Sequence, residues 1–116
     1  MNDFCWTKAK RIRNRRCYQQ VQNVGSKYKT SHFIFFYVRS NRTQIGLTVT
    51  KRIGNAVYRN KIKRFLREYF RHYYNDIPAF QIVVVVRHTC ISFNKEAMIS
   101  SLNRFQKYII DNQQKF

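Results

Sequence analysis

Residues 44–87, QIGLTVTKRIGNAVYRNKIKRFLREYFRHYYNDIPAFQIVVVVR, decide the fold, because their hydrophobic period changes twice. Ile45, Leu47 and Val49 alternate with Gln44, Gly46, Thr48 and Thr50, the pattern of a half-buried strand over 44–50. Asn55, after Gly54, is in place to cap a helix predicted from Ala56 to Tyr74. At about 100° per residue, Ile62, Phe65, Leu66, Tyr69 and Tyr73 fall on one side of that helix. Asn60, Arg64, Arg67 and Arg71 fall opposite, flanked by Lys61 and Lys63. Pro78 breaks the chain, and Gln81 to Arg87 is predicted as a strand whose IVVVV run needs cover on both faces, as in the middle of a sheet.

Upstream, a strand is predicted over His32 to Arg39 and a short one over residues 26–29. The Ser40 to Thr43 turn predicts a hairpin joining 32–39 to 44–50. A first helix is predicted from Asn14 to Asn23, where Cys17, Tyr18, Val21 and Val24 recur at helical spacing and Gly25 stands at the C-cap position. A last helix starts near Ser92 or Asn94 and runs to Asp111, burying Met98, Leu102, Phe105 and Ile109. The order αβββαβα indicates an α+β fold: one domain over 1–116, an α/β sandwich with a mixed sheet of about four strands and three helices mainly on one face.

The 116 residues carry 23 Lys plus Arg against 5 Asp plus Glu, a formal charge of +18. An apolar fraction of 44% is that of an ordinary globular chain, so the charge does not signal disorder. Residues 4–67 hold 17 of the basic residues and no acidic one. Such a surface repels itself unless an anion relieves it, and phosphate is the obvious anion. The N-terminal MNDFCWTKAKRIRNRR has no apolar core and no cleavage site, and no apolar run is long enough to span a membrane. A cytoplasmic location is expected. Cys5, Cys17 and Cys90 lack both disulfide and metal-ligand spacing and are expected as reduced thiols.

Catalysis by the chain itself has little support. Asp3, Glu68, Asp76, Glu96 and Asp111 contain no closely spaced pair, and His32, His72 and His88 stand singly. No catalytic or metal-binding residue is assigned. Nucleic-acid binding needs clustered cations near exposed rings, and both are present. With Phe33, Phe35 and Tyr37 turned to the core, Ile34, Phe36 and Val38 occupy the second face of their strand. Either the first helix covers that face, or a cleft remains in which Tyr18 and Phe36 offer rings to an unpaired strand.

The stretch from Lys51 to Glu68, KRIGNAVYRNKIKRFLRE, closely resembles the signature of the bacterial ribonuclease P protein subunit. The resemblance extends over nearly the whole chain, including Ile45-Gly46-Leu47-Thr48-Val49-Thr50 before the signature and the apolar strand ending in Arg87. It implies a single-domain sandwich with a left-handed crossover between its parallel strands, an exception to the usual hand. It also implies one protein per catalytic RNA. That RNA cleaves the 5′ leader from precursor tRNA using Mg²⁺ that the RNA holds, and the protein binds no cofactor alone. Carried onto this sequence, the catalytic RNA would contact Lys51, Arg52, Arg59, Asn60, Lys61, Lys63, Arg64 and Arg67. The leader would contact Tyr18, Gln22, Ile34, Phe36 and Thr48, with Gln22 standing where the family often has a second aromatic. Two other classes share the composition: a ribosomal-type structural RNA-binding protein, and a stand-alone basic nuclease.

Overall fold

A strand that is apolar on both faces must find neighbours on both edges and cover above and below. In the computed structural model, which describes Ile12, residues 15–87 and residues 94–112, β4 (Phe80–Val86) takes that central place. It pairs antiparallel with β2 (Phe33–Arg39) and parallel with β3 (Gln44–Thr48); β1 (Ser26–Lys29) completes the sheet order β1-β2-β4-β3. The hairpin expected between residues 32–39 and 44–50 does not form, because β4 lies between them. Turn residues at Ser40 to Thr43 set a change of direction; cover for both faces of the IVVVV run decides the pairing.

The helices are α1 (Arg15–Val24), α2 (Ala56–Tyr73) and α3 (Lys95–Asp111). Asn14, the expected first residue of α1, lies outside the described residues, as does Ser92. Asn94 starts α3, its Oδ1 accepting the Ala97 N–H at 3.1 Å. The last helix buries Met98, Leu102, Phe105 and Ile109 as expected. β3 stops at Thr48 rather than Thr50, since Thr50 accepts the Ile53 N–H of a 3₁₀ turn at Lys51–Ile53. β3 and β4 are parallel neighbours, so α2 is the crossover between them. The Thr43 hydroxyl donates to the carbonyls of Ile77 or Pro78 at 3.0–3.1 Å, tying the start of β3 to the chain leaving α2.

The sheet is covered unequally. On one face Phe33, Phe35, Tyr37, Ile45, Ile82, Val84 and Val86 pack with Ile62, Leu66, Tyr69 and Phe70 of α2 and with the buried stripe of α3. Phe35 stacks on Phe105 with centroids 4.1 Å apart and planes 2° apart, and Tyr28 stacks on Tyr108 at 4.7 Å. On the other face α1 makes a smaller core of Val21, Val83 and Ile12. Gly25 ends α1 by donating its N–H to the Val21 carbonyl at 2.8 Å, but without the left-handed conformation of the usual glycine cap. It is small for another reason: a Cβ there would stand 2.4 Å from the Val21 carbonyl oxygen and 2.9 Å from the Tyr37 carbonyl oxygen of β2.

Candidate nucleic-acid interface

The cationic helix is assembled by local capping and by packing. Asn55 accepts the Tyr58 N–H at 2.9 Å, which starts α2 at Ala56. Ile53 is buried and pins the preceding turn, leaving Lys51 and Arg52 exposed. Ile62, Leu66, Tyr69 and Phe70 are buried, and their rotation about the axis leaves Asn60, Lys61, Arg64 and Arg67 in solvent. Lys63 and Arg59 are half-buried. The Nε of Arg59 is sealed from solvent with no acceptor among the described residues. A buried guanidinium donor left unpaired in this way costs stability in the folded protein.

Two expectations about α2 are corrected. Tyr73 does not pack into the core: it is 40% exposed, and Phe70 takes the buried position. Its angle about the helix suits burial, but it is the last helical residue, and it lines a groove between α2 and the first turns of α3. Arg71 does not stand with the outward-facing cations: it pairs with the Glu68 carboxylate, which His72 Nε2 also approaches at 3.4 Å. The Arg71 hydrogen bond holds the Glu68 carboxyl below its ordinary pKa.

The second region is the α1 side of the sheet. Cross-strand register places Lys29, Ile34, Val85 and Thr48 in one row, and Lys27, Phe36, Val83 and Gly46 in the next. Val38, Gln81 and Gln44 follow, with the Gln81 Nε2 donating to Gln44 Oε1 at 3.0 Å. Tyr18 reaches down from α1 to accept the Leu47 N–H at 3.1 Å. Its ring lies on Gly46, where a Cβ would come within 2.6 Å of it, so only glycine permits this approach. Ile12 donates its N–H to the Ile45 carbonyl at 3.1 Å on the outer edge of β3. Helix α1 therefore covers only part of this face: it buries Val83, while Tyr18, Gln22, Ile34, Phe36 and Thr48 stay half-buried around it.

Lys27 and Lys29 belong to this face and were missed from the sequence. Lys27 Nζ sits 5.7 Å from the centroid of Phe36. The S-K-Y-K alternation of β1 carries the signal: with Tyr28 turned to the core, both lysines must face the other way.

Cys17 is a free thiol, whereas Asp3, Cys5, His88 and Cys90 lie outside the described residues. Among the described residues no three His, Cys, Asp or Glu side chains gather where a metal could bind, and no helix is long and apolar enough to cross a membrane.

The ribonuclease P family model matches residues 6–109 of this chain. The chain belongs to the ribonuclease P protein family. It is 42% identical over 88 residues to the ribonuclease P protein component of Syntrophus aciditrophicus, covering 74% of each chain. It is 32% identical to that of a Psychrobacter species, covering 99% of this chain and 92% of the relative. The fold matches the ribonuclease P protein of Staphylococcus aureus with a TM-score of 0.80 at 30% identity, over 87% of this chain and 95% of that one. The Thermotoga maritima ribonuclease P protein matches with a TM-score of 0.77 at 27% identity, over 85% and 96%. The four-stranded mixed sheet with three helices is thus the family fold. A subunit of bacterial ribonuclease P works in tRNA processing and associates with the ribonuclease P RNA, which decides against the ribosomal-type alternative.

Proposed function

We propose that the exposed face of α2 docks on the catalytic RNA of ribonuclease P while the α1 side of the sheet holds the 5′ leader of precursor tRNA. The docking set is Lys51, Arg52, Arg59, Asn60, Lys61, Lys63, Arg64 and Arg67. Arginine brings a two-pronged donor to phosphate and lysine a point charge, so Arg59, Arg64 and Arg67 fix orientation and the lysines add attraction. The leader set is Tyr18, Gln22, Ile34, Phe36 and Thr48. The rings of Tyr18 and Phe36 supply stacking surface, and Gln22 and Thr48 supply hydrogen bonds. Phosphodiester cleavage belongs to the RNA, which holds the Mg²⁺, and one protein serves each RNA in the cytoplasm. This chain's contribution is binding and positioning.

The observation that carries this reading is the split of α2: Ile62 and Leu66 are fully buried, while Asn60, Lys61, Arg64 and Arg67 are exposed along the other side. The test is precursor-tRNA cleavage by a bacterial ribonuclease P RNA across a Mg²⁺ titration, with and without the chain. The protein lowers the Mg²⁺ concentration needed for half-maximal rate. An unchanged Mg²⁺ requirement contradicts the reading.

A further inference from the structure

The groove that exposes Tyr73 has a volume of about 840 Å³, within the range that holds small ligands. Its floor is apolar and aromatic: Phe65 and Tyr69 from α2, Ile99 from α3, and Tyr73 at the open side. Tyr69 is a fixed wall. Its hydroxyl lies 2.7 Å from both Asn103 Oδ1 and Gln106 Oε1, either of which it can donate to. Tyr73 leans on it with centroids 4.7 Å apart and planes at 40°. Lys61 and Arg64 line the groove from α2, and Lys95 lines it from the start of α3.

A purely apolar occupant would use the floor and desolvate Arg64 and Lys95 without bringing them an anion. A nucleotide uses both, since a base has a flat face for Tyr73 and a phosphate for the cations. The carboxylates that line the groove, Glu68 and Asp76, suit the exocyclic amine of a base rather than a phosphate. Glu68 is already paired with Arg71. We infer that this groove receives one unpaired nucleotide of the ribonuclease P RNA, its base stacked on Tyr73 and its phosphate held by Arg64 and Lys95. This rests on the docking of α2 on that RNA, because Lys61 and Arg64 belong to both the docking set and the groove.

The test is equilibrium binding of the full chain to an in vitro transcribed bacterial ribonuclease P RNA, comparing Tyr73→Ala, Tyr73→Leu, Tyr73→Phe and Arg67→Ala with the parent. Tyr73→Ala weakens binding roughly 5- to 150-fold, the effect of removing one base stack. Tyr73→Leu, which keeps apolar cover over Tyr69 and lacks a π face, weakens it comparably and reads the effect should the alanine variant fold poorly. Tyr73→Phe binds like the parent. Parental affinity in folded Tyr73→Ala and Tyr73→Leu, with Arg67→Ala weakened, overturns the groove assignment and leaves the docking helix standing, whether the groove is then empty or taken by a protein. Parental affinity in all the variants, Arg67→Ala included, overturns the docking helix and the groove together.

Discussion

Strand β2 has two faces of nearly equal hydrophobicity and opposite fates. Phe33, Phe35 and Tyr37 are buried under α2 and α3, whereas Ile34, Phe36 and Val38, alternating with them, stay half-exposed beside α1. The difference lies in the covering layers: two long helices close one face, and a ten-residue helix closes only the middle of the other. Apolar residues on the first face hold the fold together. On the second they are left at the surface among Lys27, Lys29 and Tyr18, where a nucleic acid can use them.

Paired substitutions on β2 separate the faces most sharply. Phe35→Ala removes the ring stacked on Phe105 and costs about 3–5 kcal/mol, a large share of a small domain's stability. Denaturant unfolding measures it. Phe36→Ala costs distinctly less in the same assay and instead lowers holoenzyme affinity for precursor tRNA by about 1–3 kcal/mol, with mature tRNA unaffected. Equal losses for the two tRNAs would remove Phe36 from the leader path.

Gly46 tests how tightly the open face is built. Gly46→Ala forces its methyl group into the Tyr18 ring, and overpacking of this kind costs about 1–3 kcal/mol in unfolding experiments. Tyr18→Phe keeps the ring, removes the hydroxyl that accepts from Leu47 and costs about 0.5–1.5 kcal/mol. Should both variants unfold like the parent, Tyr18 does not lie on β3. The smallest effect is electrostatic. Substituting Lys27 and Lys29 together by Ala leaves unfolding nearly unchanged and makes the salt dependence of precursor-tRNA binding shallower, by roughly 0.7 for each phosphate that the two lysines neutralise. An unaltered slope would end the leader path at Phe36.

Much of this arrangement was legible in the sequence, and the misses share a cause. The Asn55 cap, the buried Ile62 and Leu66 and the central position of β4 follow from local chemistry and periodicity. The pairing of β2 with β4 does not, because a turn at residues 40–43 is compatible with a hairpin and with a strand inserted from far along the chain. Tyr73 has the angular position of a core residue, but angle says nothing about how far the covering layer extends along the helix axis. The constraint at Gly46 comes from Tyr18, a partner that only the folded chain brings close, whereas that at Gly25 is partly local, from the Val21 carbonyl, and partly from Tyr37 of β2. Lys27 and Lys29 were readable in principle from the alternation of β1, once Tyr28 is assigned to the core.

The most direct measurement of the cationic grip of α2 is the slope of log affinity against log salt for the chain binding ribonuclease P RNA. With about 6–10 phosphate contacts, affinity falls roughly a thousand- to a hundred-thousand-fold between about 50 and 200 mM salt, and Arg64→Ala makes the slope shallower by about one. A flat salt response in the parent chain, or a slope untouched by Arg64→Ala, would contradict it.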